Sequence, residues 1–546
     1  MNTQQQQNMV TEWTFRAGKA YADPFNQVTL DAVFTGPDGG EQVIPAFWAG
    51  EDRWAVRFAA AGTGTYRFRT VCSEAGDAGL HGQEGTVEIL PYRGENPLYR
   101  HGPVRAAGNG RYLEHADGTP FFWLADTWWM GLTKRLTWPG GFQTLALDRV
   151  AKGFSVVQIV AGLYPDMDWY DERGANEAGY PWEKDFARIN PAYFDSADRR
   201  LRYLVEMGLA PCLVGCWGYF LPWMGVEKLE QHWRYLVARY GAYPTFWCLA
   251  GEWDMAYYLS GEDGAKNREL QRSGWAEIAR YVHEIDGFHR LVSVHEGSPG
   301  RELGAIAAGA PLIDFQMMQT GHGDRNSVPN TVRRMGQEYA AEPVLPAIDS
   351  EVCYEGIGEA CRQEVQRMMF WMCLLSGACG HTYGANGIWQ FNTREQPYGP
   401  SPHGMTWGNT PWEEAYQLPG SRQVALAKGL LERYEWWNFA PHPEWIEPRW
   451  SEEDFFAGYA AGIPGKVRVI FMPFGQWGKL VKEIEPGVNY RAFLWNPADG
   501  AETELGPVVA NADGDYELFT GTDGVRRSMP PIFQDWVLVL EAGPTP

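Results

Sequence analysis

The sequence predicts an α/β fold, a (β/α)8 barrel with a small β-sandwich on either side. Three observations carry that expectation. Between residues ~105 and ~430, helical segments ending in glycine alternate with short apolar runs, which supplies eight strand candidates. Before and after that stretch, the apolar period drops from that of a helix to that of a strand. No GxGxxG or GxxxxGKS/T motif follows any apolar run, so the nucleotide-binding folds lose their main support. Eight alternations in a stretch of this length fit a closed barrel better than a doubly wound sheet.

The first unit is expected over residues 1–100. Val28, Leu30, Ala32 and Phe34 share one strand face. Trp54-Val56-Phe58, Tyr66-Phe68-Thr70 and Val87-Ile89 repeat that alternation. Gly36-Pro37-Asp38-Gly39-Gly40 and Gly62-Thr63-Gly64 separate the runs as turns, the pattern of a small sandwich. Pro91 to Pro103 reads as a linker. The Gln-rich start, Met1 to Val10, has no basic segment followed by an apolar one. No signal peptide is visible, and a cytoplasmic protein is expected. No run reaches ~18 apolar residues, so no membrane helix is expected.

The barrel is expected over residues 101–435. Its strand candidates are Phe121–Ala125, Phe154–Val160, Leu209–Val214, Thr245–Ala250, Leu291–His295, Leu312–Met318, Val344–Ile348 and Ala378–Tyr383. Gly153, Gly208, Gly241, Gly287, Gly309 and Gly377 end the segments that precede six of them. Residues 436–546 return to strand alternation in Val467-Val469-Phe471, Tyr490-Ala492-Leu494 and Trp536-Leu538-Leu540. Asn496-Pro497-Ala498-Asp499-Gly500 reads as a hairpin turn.

Composition narrows the function. The net charge of −22 disfavours nucleic acid and anionic membranes, which both need clustered Lys and Arg. Eight sparse cysteines without a CxxC pair read as buried free thiols. Neither HxH nor HExxH occurs, so no metal and no cofactor is expected. GxSxG is also absent, which disfavours a serine hydrolase. Trp is unusually abundant at 26 copies, sixteen of them between residues 101 and 430.

In such barrels the active site lies at the C-terminal strand ends. Those ends carry Asp126, Trp128 and Trp129; Gln158; Trp217; Glu252, Trp253 and Asp254; His295; Gln319; Glu351 and Tyr354; and His381 and Tyr383, with Trp389 beyond. Indole faces stack on sugar rings, while carboxylates, amides and imidazoles fork onto hydroxyls. Glycosidic cleavage needs two carboxyl groups astride the bond, one protonated and one ionised. Glu252 after the fourth strand and Glu351 after the seventh are the best pair. A retaining mechanism wants them ~5–5.5 Å apart and an inverting one ~6.5–9.5 Å. Asp349 and Glu355 compete with Glu351, and Asp126 could instead cap a helix.

Three stretches resemble the apiosidase-like glycoside hydrolases, relatives of the large superfamily of retaining barrel glycosidases. They are Pro120–Trp128, Tyr240–Glu252 and Pro346–Glu355. The N-terminal region is similar to the β-sandwich module that often precedes that barrel. The C-terminal region is similar, through Ala492–Gly500, to a collagen-binding-like β-module. The resemblance implies Glu252 as acid/base and Glu351 as nucleophile. Many relatives carry Asp at the acid/base position, and the wider superfamily places Asn before it, where this chain has Gly251.

The expected substrate is an oligosaccharide or glycoside. With no leader visible, an intracellular enzyme acting on imported oligosaccharides is expected, which favours exo-action on short substrates. The segment Tyr164 to Pro191, with Asp166, Asp168, Trp169, Tyr170 and Trp182, is long enough to wall off one end of the cleft: lying across the rim it forms a pocket, and folded away it leaves an open endo-type cleft. A homo-oligomer is left open. The competing class is a non-catalytic carbohydrate-binding protein that uses the same Trp-rich rim.

Overall fold

The structure is a computed structural model that describes residues 2–256, 263–297, 299–306, 311–402, 404–474, 480–518 and 533–543. Eight strands form its central sheet: β1 (Trp123–Thr127), β2 (Val156–Val160), β3 (Ala210–Val214), β4 (Phe246–Cys248), β5 (Val292–Ser293), β6 (Gln316–Gln319), β7 (Ala347–Glu351) and β8 (Gly380–Tyr383). All pairings are parallel and run in chain order, with β1 beside β8. A parallel bridge between His295 and Met317 joins the β5 side to the β6 side and closes the ring. Parallel strands need long crossovers, and helices on the outside supply them. Each expected strand is present, though β5 keeps only two residues of its apolar run. Gly309 lies outside the described residues.

The barrel interior is filled with side chains. At its base, Trp123, Phe246 and Phe315 meet edge-to-face or tilted with ring centres 4.9 to 6.1 Å apart. The Trp123 indole N–H donates to Thr382 at 3.0 Å, so this buried polar group is satisfied.

The N-terminal region is a sandwich of a five-stranded and a three-stranded sheet. Phe34 and Phe58 stack between the sheets at 4.0 Å, and Trp13 meets Phe68 at 4.9 Å. The Gln-rich start is a strand, Asn2–Gln6, paired in parallel with Glu84–Leu90. Its backbone completes an edge, which needs no apolar side chain, so periodicity did not mark it. Pro91–Pro103 is not a free linker. Asn96 caps the short helix Pro97–Arg100 through the Leu98 N–H. The same side chain donates to the Val205 and Glu206 carbonyls at the end of helix Pro191–Glu206. Leu98 and Tyr99 are buried, so this connection is pinned to the barrel. Arg57 on the sandwich and Arg239 on the barrel helix Phe220–Tyr240 share Asp198. Burial would raise the Asp198 carboxyl, but the two guanidiniums hold it well below the usual carboxylate range.

The C-terminal region pairs a six-stranded with a three-stranded sheet. Alternation explains how it attaches. Val467, Val469, Phe471, Phe493, Trp495, Val537 and Val539 join the main core. Their neighbours Ile470, Met472, Ala492, Leu494, Leu538 and Leu540 form the sandwich's own core. The barrel helix Gln363–Leu375 fills the junction: Trp371 stacks on Phe471 at 6.3 Å and meets Trp495 edge-on at 5.7 Å. Beside it, Arg367 forms a buried two-point pair with Asp535 at 2.6 and 2.8 Å. All eight cysteines are buried and unpaired. Among the described residues, no helix is long and apolar enough to cross a membrane.

Trp371 therefore couples the barrel to the C-terminal sheet. Trp371→Ala is expected to destabilise the protein by about 3–5 kcal/mol in urea unfolding. A loss below about 1 kcal/mol would show that the junction carries little of the stability.

Candidate active site

The C-terminal rim of the barrel holds a pocket lined by Trp129, Pro165, Asp166, Trp217, Glu252, Gln319, His322, Glu351, Tyr354, Ile357, Trp389 and Trp407. Counted out to its mouth, open solvent included, it encloses about 500 Å3. Four of its walls are indoles.

Glu252 lies just past β4, on backbone with φ of 46°, a left-handed conformation that non-glycine residues rarely adopt. Its two oxygens accept from Trp217 Nε1 at 2.8 Å and Gln319 Nε2 at 3.1 Å. Burial disfavours its charge, and the nearby Glu351 carboxylate adds to this. Together they push Glu252 up to about 7, although both hydrogen bonds pull the other way. The residue before it must be glycine. A Cβ on Gly251 would stand 2.2 Å from the Trp217 ring, which lies over that backbone. The position that carries Asn in the wider superfamily is thus closed here by Trp217.

Glu351 ends β7. A bulge in β7, with Ser350 as the extra residue, sets Glu351 opposite Gln319, and both line the pocket. His322 Nε2 donates to Glu351 Oε1 at 2.9 Å, and His295 Nε2 stands 2.8 Å from Oε2. Burial alone would raise this carboxyl, but the two imidazoles hold it far below the usual carboxylate range. His322 answers in kind. Burial opposes its protonation, yet the Cys353 sulfur and the Glu351 carboxylate outweigh that and push it up to about 10. The Tyr354 hydroxyl accepts from Trp129 Nε1 at 2.8 Å, and its ring lies 4.8 Å from that of His322. The pocket therefore holds one carboxyl driven toward its neutral form and one driven toward its charged form.

The expected site residues divide. Trp129, Trp217, Glu252, Gln319, Glu351, Tyr354 and Trp389 line the pocket. His295 is fully buried against Glu351. The others are elsewhere. Asp126 is buried on Arg149 at 2.6 Å and accepts from Trp128 Nε1 at 2.7 Å, which removes both Asp126 and Trp128 from the rim. Gln158 donates inside the barrel to the Ser350 carbonyl at 2.9 Å. Asp254 pairs outward with Arg268 and Arg272, and Trp253 packs under Arg272. His381 is sealed inside beside Phe370, where burial pushes it down to about 3. Tyr383 donates to Glu355 at 2.6 Å, and Glu355 accepts from the Gly420 N–H near the start of helix Pro419–Leu431. Glu355 is thus a helix anchor. Asp349 sits below the pocket and accepts from Thr320 at 2.6 Å.

Five pocket residues were not among the expected site residues: Pro165, Asp166, His322, Ile357 and Trp407. His322 follows β6 by three positions, on a turn whose reach the sequence does not specify. Trp407 lies in the long segment after β8, where no periodicity places a side chain. Asp166 was named within the segment expected to wall the cleft, but not as a site residue.

Residues 107–438 match the family described as apiosidase-like, catalytic domain. Residues 4–73 match a domain of unknown function, DUF5060. The fold and the family together define a glycoside hydrolase. The first match covers more than half of the chain, and the chain belongs to the apiosidase-like family.

Solved structures share the fold. A glycoside hydrolase family 5 protein from Bacteroides vulgatus ATCC 8482 is 21% identical over 82% of this chain and 95% of that one, with a TM-score of 0.64. A second protein of that organism, provisionally described as a glycoside hydrolase, is 18% identical over 99% of this chain and 100% of its own, with a TM-score of 0.69. No curated protein matches the chain.

The Asp126–Arg149 pair lies outside the pocket and inside the wall. Asp126→Asn is expected to lower the melting temperature by several degrees and leave turnover per folded molecule unchanged, since breaking a buried pair costs about 3–5 kcal/mol. An unchanged melt with a raised KM would return Asp126 to the substrate site.

Proposed function

We propose that the protein is a retaining, exo-acting glycosidase that removes a terminal sugar from a plant or microbial oligosaccharide, with Glu252 as acid/base and Glu351 as nucleophile. One observation carries this reading: two carboxyl groups share a Trp-walled pocket that pushes their proton affinities apart. Glu252, protonated through the lower part of the neutral range, donates to the leaving oxygen while ionised Glu351 attacks the anomeric carbon. Glu252 then takes a proton from water, which releases the sugar from Glu351. Trp129, Trp217, Trp389 and Trp407 provide ring faces for the sugar, and Gln319 orients Glu252. Pro165 and Asp166, from the segment after β2, stand in the pocket wall, which favours a blind pocket over an open cleft.

A panel of 4-nitrophenyl glycosides of neutral sugars in both anomers, β-D-apiofuranoside included, identifies the substrate. On the sugar that is cleaved, Glu351→Gln is expected to lower kcat at least ~10³-fold, and Glu252→Gln ~10²–10⁴-fold on an unactivated leaving group. NMR of the first-formed product should show the substrate's own anomer. Near wild-type turnover in either variant removes that residue's role, and an inverted anomer removes the double displacement.

The pH profile gives a second test. Activity needs Glu252 protonated and Glu351 ionised, so kcat/KM should fall as pH rises past about 7. The acid limb should lie well below that. His322→Asn takes a cation and a hydrogen bond from Glu351. Its carboxyl then rises toward the ordinary range, and the acid limb should move to higher pH with a ~10–100-fold loss of kcat/KM. An acid limb that stays in place would show that His322 does not set the charge of Glu351.

A further inference from the structure

The pocket contains a third carboxylate, Asp166, which neither half of the double displacement uses. Its placement is unusually constrained. Asp166 is buried, and its backbone φ of 57° is left-handed, a conformation that a non-glycine residue holds only when its surroundings impose it.

Those surroundings are a set of hydrogen bonds. Four successive carbonyls, from Tyr164 to Met167, each accept one from a side chain. Tyr219 donates to Tyr164 O at 2.6 Å and to Met167 O at 3.0 Å. Tyr398, from the segment after β8, donates to Pro165 O at 3.3 Å. Arg173 donates to Asp166 O at 3.3 Å and, through another nitrogen, to Tyr398 O at 3.1 Å. Trp407 Nε1 then donates to Asp166 Oδ2 at 3.2 Å, and Trp407 is itself a pocket wall. The segments after β2 and β8 are thereby locked together around one carboxylate.

Charge adds a second constraint. No Lys or Arg lines this pocket among the described residues, and the protonated His322 is already committed to Glu351. A sugar carboxylate or sulfate here would face the carboxyl groups of Asp166 and Glu351, with no Lys or Arg among the described lining residues to receive it. A hydroxyl would meet a fixed, desolvated acceptor, and hydrogen bonds to charged groups are the strong ones. Sites built to bond a hydroxyl discriminate sharply against analogues that lack it.

We infer that Asp166 is a specificity-determining residue that accepts hydrogen bonds from one hydroxyl, or two adjacent ones, of a neutral terminal sugar, and that uronic and sulfated sugars are excluded from this subsite. The inference rests on the reading of Glu252 and Glu351 as the reacting pair.

The test uses the aryl glycoside that the full-length enzyme cleaves, its monodeoxy analogues and the matching uronide. Asp166→Asn and Asp166→Ala are compared with the parent enzyme on each. On the parent glycoside both variants should lower kcat/KM ~10–100-fold, the loss expected for one hydrogen bond to a charged group. On the analogue that lacks the hydroxyl read by Asp166, parent and variants should agree within ~3-fold, because that contact is already gone. The basic limb of the pH profile should stay where it is, and the uronide should remain uncleaved by the parent enzyme.

An equal loss on every analogue would overturn the proposal and leave Asp166 a structural residue, as would efficient cleavage of the uronide. Retained turnover in Glu252→Gln and Glu351→Gln would instead defeat the assignment of the reacting pair. Thermal melts of the Asp166 variants separate misfolding from both outcomes.

Discussion

Glu351 between His295 and His322 is the interaction on which the site depends. A carboxylate this deeply buried would take up a proton unless something opposed it. The two imidazoles oppose it, and they come from the ends of β5 and β6, the two neighbouring segments on one side of β7. Closure of the barrel beside His295 brings them to one place. The charge they stabilise then acts across the pocket on Glu252, whose own hydrogen bonds come from the neutral side chains of Trp217 and Gln319. The cluster therefore keeps Glu351 ionised and adds to the burial that raises Glu252, and the indole walls magnify the effect by excluding water.

Tryptophan serves two ends in this chain. Trp123, Trp128 and Trp371 are structural, filling the barrel base, the wall around Asp126 and the C-terminal junction. Trp129, Trp217, Trp389 and Trp407 face the pocket. The indole N–H makes the second group more than surface: Trp217 holds Glu252, Trp129 holds Tyr354 and Trp407 holds Asp166. Each of these three rings lines the pocket while its nitrogen fixes a polar neighbour. The two flanking sandwiches brace the barrel from outside, through Arg57 and Arg239 on one side and Trp371 and Arg367 on the other.

Much of the fold was legible because period and punctuation are local. Apolar runs after Gly153, Gly208 and Gly377 mark strands wherever the chain later places them. The carboxyl pair was legible for a related reason: a barrel puts strand ends on one rim, so Glu252 and Glu351 follow from strand order alone. What failed was direction. Asp126 and Tyr383 are at strand ends too, but their side chains reach Arg149 and Glu355 in the wall. Strand-end position gives height in the barrel and does not say whether a side chain turns inward or outward. His322, Trp407 and Asp166 reach the pocket on turns whose shape depends on distant partners such as Tyr398, and no window of sequence contains that information.

Function here turns on two opposed protonation states. Burial and the charge of Glu351 hold Glu252 near neutrality, while His295 and His322 keep Glu351 ionised. Carbon-13 NMR titration of the enzyme labelled at glutamate side-chain carboxyls tests this most directly, with Glu252→Gln and Glu351→Gln used to assign the signals. Glu252 and Glu296 should both titrate near 7, and the Glu252 signal should be the one missing in Glu252→Gln and moved to lower pH in Glu351→Gln, where the neighbouring negative charge is gone. A Glu252 signal that titrates in the ordinary carboxylate range, or one indifferent to Glu351→Gln, would contradict it.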